Sequence, residues 1–291
     1  MTTTHTPRCI ARHTGIWMVE PQWFNANFSA FRAGTLPMMD IEIAEERSKP
    51  TASVTEDGIG LIDLSGMMMK GASKFGNVDS VAVRQQVRTM ADAPEVRGIV
   101  MRIDSPGGTF AGTDDLAVEV ARAAKIKPVY AQVEDLAASA AYYVASQATA
   151  IYSHAPGQIG SIGTLLVVED TSKAAEAAGI TVHVIATGEY KGAVVDGAPV
   201  QDATLEYLGE RIQQVNAFFQ AAVKKGRGLT DKKMESISDG RVWFAAEAQS
   251  LGMIDGVQSM DDTVGSLRDD IRQRDRAAKA KAKMGMARAR G

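Results

Sequence analysis

Between Ile59 and Ser153 the apolar positions fall into short dense runs separated by stretches of helical period. Gly60-Leu-Ile-Asp-Leu64, Arg97-Gly-Ile-Val-Met-Arg-Ile-Asp104, Pro128-Val-Tyr-Ala-Gln-Val133 and Ala150-Ile-Tyr-Ser153 have the length and apolar density of buried strands. Val78 to Met90, Thr113 to Ala124 and Ser139 to Gln147 have the pattern of helices. The second of these helices carries Asp114 and Asp115 in its first turn, where the helix dipole favours negative charge. Thr164-Leu-Leu-Val-Val168 and Thr181-Val-His-Val-Ile-Ala186 are expected to be strands on either side of a helix over Thr171 to Ala178. After Pro199, the residues Leu205, Leu208, Ile212, Val215, Phe219 and Val223 recur at helical spacing and predict a long helix over Ala203 to Lys225. Strands joined through helices imply an α/β fold with a largely parallel sheet. No internal repeat is visible.

The flanks differ from this body. Residues 1 to 56 are punctuated by Pro7, Pro21, Pro37 and Pro50 and are expected to form an irregular arm. Within it, Ile16-Trp-Met-Val-Glu-Pro-Gln-Trp-Phe24 is aromatic enough to pack on something, either as a local helix capping the core or as part of a subunit contact. From Arg268 to Gly291 there are nine Lys/Arg against three Asp. Such a stretch is either a solvated helix that frays or an arm for an acidic partner. The expected organisation is an arm over 1–56, a domain over 57–258 and a basic tail over 259–291.

Composition narrows the classes. A net charge of −3 over 291 residues gives no general attraction to nucleic acid. The single cysteine, Cys9, excludes an intrachain disulfide. No apolar run is long enough to span a membrane, and Met1 to Ile10 lacks the apolar core of a secretory signal. The expectation is a protein that is made in a cytoplasm and stays there.

Four short segments carry candidate chemistry: Asp104-Ser-Pro-Gly-Gly108, Leu136-Ala-Ala-Ser-Ala-Ala-Tyr-Tyr-Val-Ala145, Ile159-Gly-Ser-Ile-Gly163 and Gly188-Glu-Tyr-Lys-Gly192. A serine hydroxyl is a weak nucleophile until a base within hydrogen-bond reach takes its proton. The four histidines are poorly placed for that task. His5 and His13 lie in the arm, and His154 and His183 lie near strand ends. A lysine amine serves instead where its surroundings disfavour the ammonium form. Ser139 is therefore a candidate nucleophile, Lys191 its base and Ser161 a hydroxyl that orients the amine. The Gly107-Gly108 turn lets the backbone aim an N–H toward a developing oxyanion. Each residue also has an ordinary alternative: Ser139 as a small residue in a packed helix, Lys191 as a surface lysine, and Gly107-Gly108 as a simple strand-to-helix turn.

These segments, in this order and with the later Gly240-Arg-Val-Trp-Phe-Ala-Ala-Glu-Ala248 and Gly252-Met-Ile-Asp-Gly256, resemble peptidase family S49 over about residues 57 to 258. That family comprises the signal peptide peptidase A group and its phage head-maturation relatives. The resemblance implies a spiral α/β fold of the Clp-protease/crotonase type, with repeated β-β-α units. It also implies a Ser/Lys dyad with Ser139 as nucleophile, Lys191 as base, Ser161 orienting the base and Gly108 donating an oxyanion N–H. No metal or cofactor is implied. The implied partners are protein or peptide substrates, phage scaffold and capsid proteins among them. The implied assembly is a homo-oligomeric ring in which serine and lysine come from neighbouring chains. The chain departs from the family at Ala140 and Ala141, where glycines are frequent. It also begins with a Trp/Pro-containing arm, similar to that of the phage relatives, in place of the membrane anchor of others. A head-assembly protease is thus the favoured expectation. A cytoplasmic peptidase of signal peptides or other short peptides, and a non-catalytic assembly scaffold, are the alternatives.

Overall fold

The computed structural model of the protein describes residues 16–32, 49–71 and 77–288. Its larger sheet is built on three parallel strands: β3 (Ile59–Ser65), β6 (Gly98–Ser105) and β8 (Val129–Ala138). Beyond them β9 (Ala150–Ser153) pairs in parallel with the first half of β8, and β10 (Gln158–Gly160) with its last residues. Antiparallel strands close both ends: β2 (Ala52–Val54) lies on β3 and β11 (Val242–Phe244) lies on β10. β12 (Gly256–Val257) adds in parallel to β9. This is the α/β class expected from the sequence.

The central strands look uniformly apolar because both of their faces are covered. Ile99, Met101 and Ile103 enter the main core together with Val129, Ala131 and Val133. The residues between them, Val100 and Tyr130, join Ile59 and Ala150 in a second cluster on the opposite face. The main face is covered by α2 (Ser80–Asp92), α3 (Thr113–Ile126) and α4 (Ala140–Ala145). The buried Glu119 of α3 accepts 2.6 Å bonds from Arg88 of α2 and from Arg122, and so ties the two helices together. The second face is covered by the last helix, α9 (Met260–Arg288), through Leu267 and Ile271. Arg268 bonds to Asp57 and Arg97 to Asp275 along the same contact. The basic segment is therefore helical as far as Arg288, and its first half is a packed part of the body.

A smaller sheet carries the strand order β1 (Trp17–Val19), β7 (Gly107–Thr109), β4 (Met68–Met69), β5 (Val78–Asp79). Trp17–Val19 is thus a strand where the sequence suggested a helix, and the helix begins only afterwards as α1 (Pro21–Arg32). The reason is local. Proline suits the first helical position, and the Glu20 carboxylate accepts from the Gln22 and Trp23 amides at 2.9 and 2.6 Å. Trp17, Val19 and Phe24 bury against Met67 and Met69.

Two expected strands do not form. Of Thr164 to Val168 only Leu165 makes a β-bridge, to Trp17, and Thr181 to Ala186 is exposed chain without strand pairing. Both edges of β10 are already taken by β8 and β11, so neither run can add to it. α5 (Ser172–Ala177) forms between them as expected, and α6 (Asp202–Arg227) is the long helix expected after Pro199. Two short helices follow, α7 (Asp231–Ile237) and α8 (Ala245–Ser250).

Candidate active site

β8 delivers Ser139. The first half of the strand runs beside β6 in regular register. The register then slips, so that Ile103 faces Val133 but Ser105 faces Ala137. The irregularity bends β8 away from β9 and onto β10, where Ala138 pairs with Gly160. Asp104 lies across this bend. Burial pushes its carboxyl above the ordinary range, the neighbouring Asp135 adds to the rise, and the Leu136 amide opposes it. Immediately past the paired ends of β8 and β10 stand Ser139 and Ser161.

Both serines have left-handed backbones, with φ of 54° and 51°. Positive φ is rare for residues other than glycine and costs on the order of 1–3 kcal/mol. At Ser139 (ψ −117°) the chain turns abruptly from strand to helix, the geometry of a nucleophile elbow. The turn is held from two sides. The Ser139 amide donates to the Gly160 carbonyl at 2.8 Å, and the Ser161 amide donates to the Arg241 carbonyl at 2.8 Å. The Ser139 hydroxyl is buried and lies 3.5 Å from the Gly163 carbonyl, at the outer limit of a hydrogen bond.

α4, which Ser139 starts, is buried along its whole length. The Tyr142 hydroxyl donates to the Met253 carbonyl at 3.0 Å and the Tyr143 hydroxyl to Asp114 at 2.6 Å. The Tyr143 ring stacks on Phe219 of α6 with centroids 5.1 Å apart. At the far end, a methyl group on Gly226 would lie 2.1 Å from the Ser146 carbonyl oxygen, so only glycine lets α6 approach this closely. Ala140 and Ala141, the departures from the family pattern, are fully buried in this packing.

Gly107 and Gly108 lie against the serine. A methyl group on Gly107 would sit 2.8 Å from the Ala138 carbonyl oxygen and 2.9 Å from the Ala140 amide nitrogen, the atoms on either side of Ser139. The same group on Gly108 would sit 1.8 Å from the Met68 carbonyl oxygen. The Ser105 hydroxyl donates to the Gly66 carbonyl at 2.6 Å and accepts from the Gly107 amide at 3.2 Å, which fixes the turn between β6 and β7. Ser139, Ser161 and Gly108 are thus brought together by adjoining strand ends.

Lys191 is not brought to them. It stands exposed in a turn, where its backbone amide donates to the Gly188 carbonyl at 3.1 Å. Among the described residues its ammonium makes no hydrogen bond or ion pair. Beside it Tyr190 stacks on Tyr207 of α6 with centroids 4.6 Å apart. The same stretch exposes Val184, Ile185, Val194 and Val195, with Ile185 98% exposed. Neither described histidine stands at Ser139 as a substitute base. His154 faces the exposed Asp135 at 3.4 Å, His183 is exposed on the Lys191 side, and His5 and His13 lie outside the described residues. Among the described residues no cluster of His, Cys, Asp or Glu could hold a metal ion, and no helix is long and apolar enough to cross a membrane.

Sequence reasoning did not find the neighbours that act through their main chains: Met18, Met68, Leu165 and Arg241. Only Ile16-Trp-Met-Val-Glu-Pro21, a β-rich run closed by Glu-Pro, carried a usable signal.

The family model described as Peptidase family S49 matches residues 121–274. The chain is 28% identical over 236 residues to the chloroplastic serine protease SPPA of Arabidopsis thaliana, which takes in 79% of this chain and 35% of that protein. It is 27% identical over 227 residues to protease 4 of Salmonella typhi, at 75% and 35% coverage. It is 28% identical over 222 residues to capsid assembly protease C of Escherichia phage lambda, at 74% and 50%. The match therefore spans between 35% and 50% of the length of these relatives. Among solved structures, an enoyl-CoA hydratase of Mycobacterium smegmatis superposes with a TM-score of 0.47 at 12% identity, covering 77% of this chain and 75% of that one.

Proposed function

The chain belongs to peptidase family S49, and on that premise we propose that it is a serine endopeptidase with Ser139 as nucleophile and Lys191 as base. The observation that carries this reading is the strained, buried turn at Ser139 set against the glycine pair Gly107-Gly108. The Ser139 oxygen attacks a peptide carbonyl carbon while its proton passes to the Lys191 amine. The Gly108 N–H, with the Ala140 N–H beside it, stabilises the oxyanion. The C–N bond breaks, the leaving amine takes the proton, and water releases the acyl group from the serine by the reverse transfers. Ser161 orients the amine.

In this reading Lys191 reaches Ser139 from a neighbouring copy in a ring or stack of subunits. Its exposure beside uncovered apolar side chains supports that arrangement, because contiguous exposed apolar surface marks interaction sites. The test of the chemistry is covalent labelling with a fluorophosphonate together with peptide turnover. We expect the label on Ser139, and Ser139→Ala to lose at least about 10³-fold in turnover with an unchanged melting temperature. An unlabelled Ser139, or full turnover in Ser139→Ala, contradicts the proposal and leaves the scaffold alternative.

For the substrates, the likeness to capsid assembly protease C of phage lambda, and to head-tail preconnector protein GP5 of Enterobacteria phage P21 at 26% identity, supports phage scaffold and capsid proteins. Neighbouring genes test this directly. Portal and major capsid genes beside this one support head maturation, and their absence favours a peptide-degrading role.

A further inference from the structure

The strand β7 is paired on both edges, and the occupant of its outer edge is the chain's own N-terminal segment. Trp17, Met18 and Val19 run antiparallel to it, opposite Thr109, Gly108 and Gly107. The Phe110 amide donates to the Ile16 carbonyl at 3.1 Å, and the Glu20 amide donates to the Pro106 carbonyl at 2.7 Å. Hydrogen-bonded pairs in an antiparallel ladder recur at every second residue. Met18 and Gly108 are therefore the bonded pair between these two, and the Gly108 N–H is turned to the Met18 carbonyl. Trp17 bonds on the other side: its amide donates to the Leu165 carbonyl and its carbonyl accepts from the Leu165 amide, both at 2.9 Å. One extended segment is thus gripped on both edges, between the glycine pair and the chain just past Gly163.

Its position relative to the serine is specific. The methyl group that would lie 2.8 and 2.9 Å from the Ala138 and Ala140 backbone atoms flanking Ser139 would lie 2.2 Å from the Met18 carbonyl oxygen. A peptide carbonyl is therefore seated beside the serine, on the N–H assigned above to the oxyanion. The side chains on both faces of the segment are apolar and buried. Met18 enters the main core, while Trp17 and Val19 face Met67, Met69 and Phe24.

We propose that this slot is the peptide-binding cleft and that Ile16 to Glu20 fills it as a pseudosubstrate, with Met18 in the place of the residue whose carbonyl is attacked. A substrate enters as an extended strand, by addition to the β7 edge, only when the segment withdraws. It presents large apolar side chains where Trp17, Met18 and Val19 now stand. The proposal rests on the reading of Ser139 as nucleophile.

The test uses the full chain carrying Trp17→Pro, which removes the N–H bonded to Leu165 and an aromatic anchor of the segment, and a milder Trp17→Ala variant. Circular dichroism and the melting temperature report folding. The probe is a fluorescein-labelled peptide with the sequence of residues 14–22, followed by fluorescence anisotropy, which needs no turnover. A segment tethered in cis competes at an effective concentration of order mM, so the variants should bind the peptide at least about tenfold more tightly than the natural chain. The same peptide should inhibit hydrolysis of an unrelated reporter competitively, and a peptide carrying Met18→Pro should do neither. Equal affinity in folded variant and natural chain overturns the pseudosubstrate, as does, where the natural chain hydrolyses the reporter, turnover no higher in the folded variants. Tight, variant-dependent binding without any turnover supports the cleft and counts instead against the Ser/Lys chemistry.

Discussion

At Gly107 the backbone φ is +94°, and three main-chain atoms, from Met18, Ala138 and Ala140, converge where a side chain would begin. None of those atoms can move without shifting the strand ends that hold Ser139. Gly107→Ala therefore combines left-handed strain of roughly 1–3 kcal/mol with displacement of the donors at the site. We expect it to lower peptide turnover by about 10²-fold or more with little change in overall secondary structure, as measured by steady-state kinetics beside circular dichroism. Near-natural turnover in this variant would remove the glycine pair from the account. Ser139, Ser161 and Gly108 could be proposed from the sequence because a hydroxyl's chemistry and a glycine's freedom are properties of single residues, and the resemblance to the family assigned them their roles. The contributions of Met18, Met68 and Arg241 were not, because a carbonyl oxygen is common to every residue and its use depends on tertiary placement.

The elements divide along the same line. β3, β6, β8 and β9 and the helices over Ser80–Asp92, Thr113–Ile126 and Asp202–Arg227 follow from apolar runs and periodicity, since both properties record burial. The runs at Thr164–Val168 and Thr181–Ala186 have equal β character, yet apart from the single bridge from Leu165 to Trp17 they join no sheet, because pairing depends on tertiary placement, which no local pattern reports. Trp17–Val19 shows the converse, a short segment made a strand by an edge supplied from far along the chain. Helix α4 depends in the same way on α6, whose Phe219 is fully buried against Tyr143. Phe219→Ala should cost about 3–5 kcal/mol in unfolding free energy. Urea denaturation measures this, and a loss under about 1 kcal/mol would mean that the site collapses without a cavity.

At the scale of the whole molecule, one copy assembles the serine, its elbow and the glycine pair, but leaves the proposed base in solvent beside Ile185, Val184 and Tyr190. α6 presents Leu205, Tyr207 and Phe218 to solvent as well. In the proposed ring, this exposed apolar surface would be covered and the amine brought to a neighbour's serine. The most direct measurement mixes Ser139→Ala chains with Lys191→Ala chains, each inactive alone, under conditions where subunit exchange is verified by light scattering and by labelled copies. The account predicts that peptide turnover returns in the mixture, because some interfaces pair an intact serine with an intact lysine. Verified exchange with no return of turnover would contradict it.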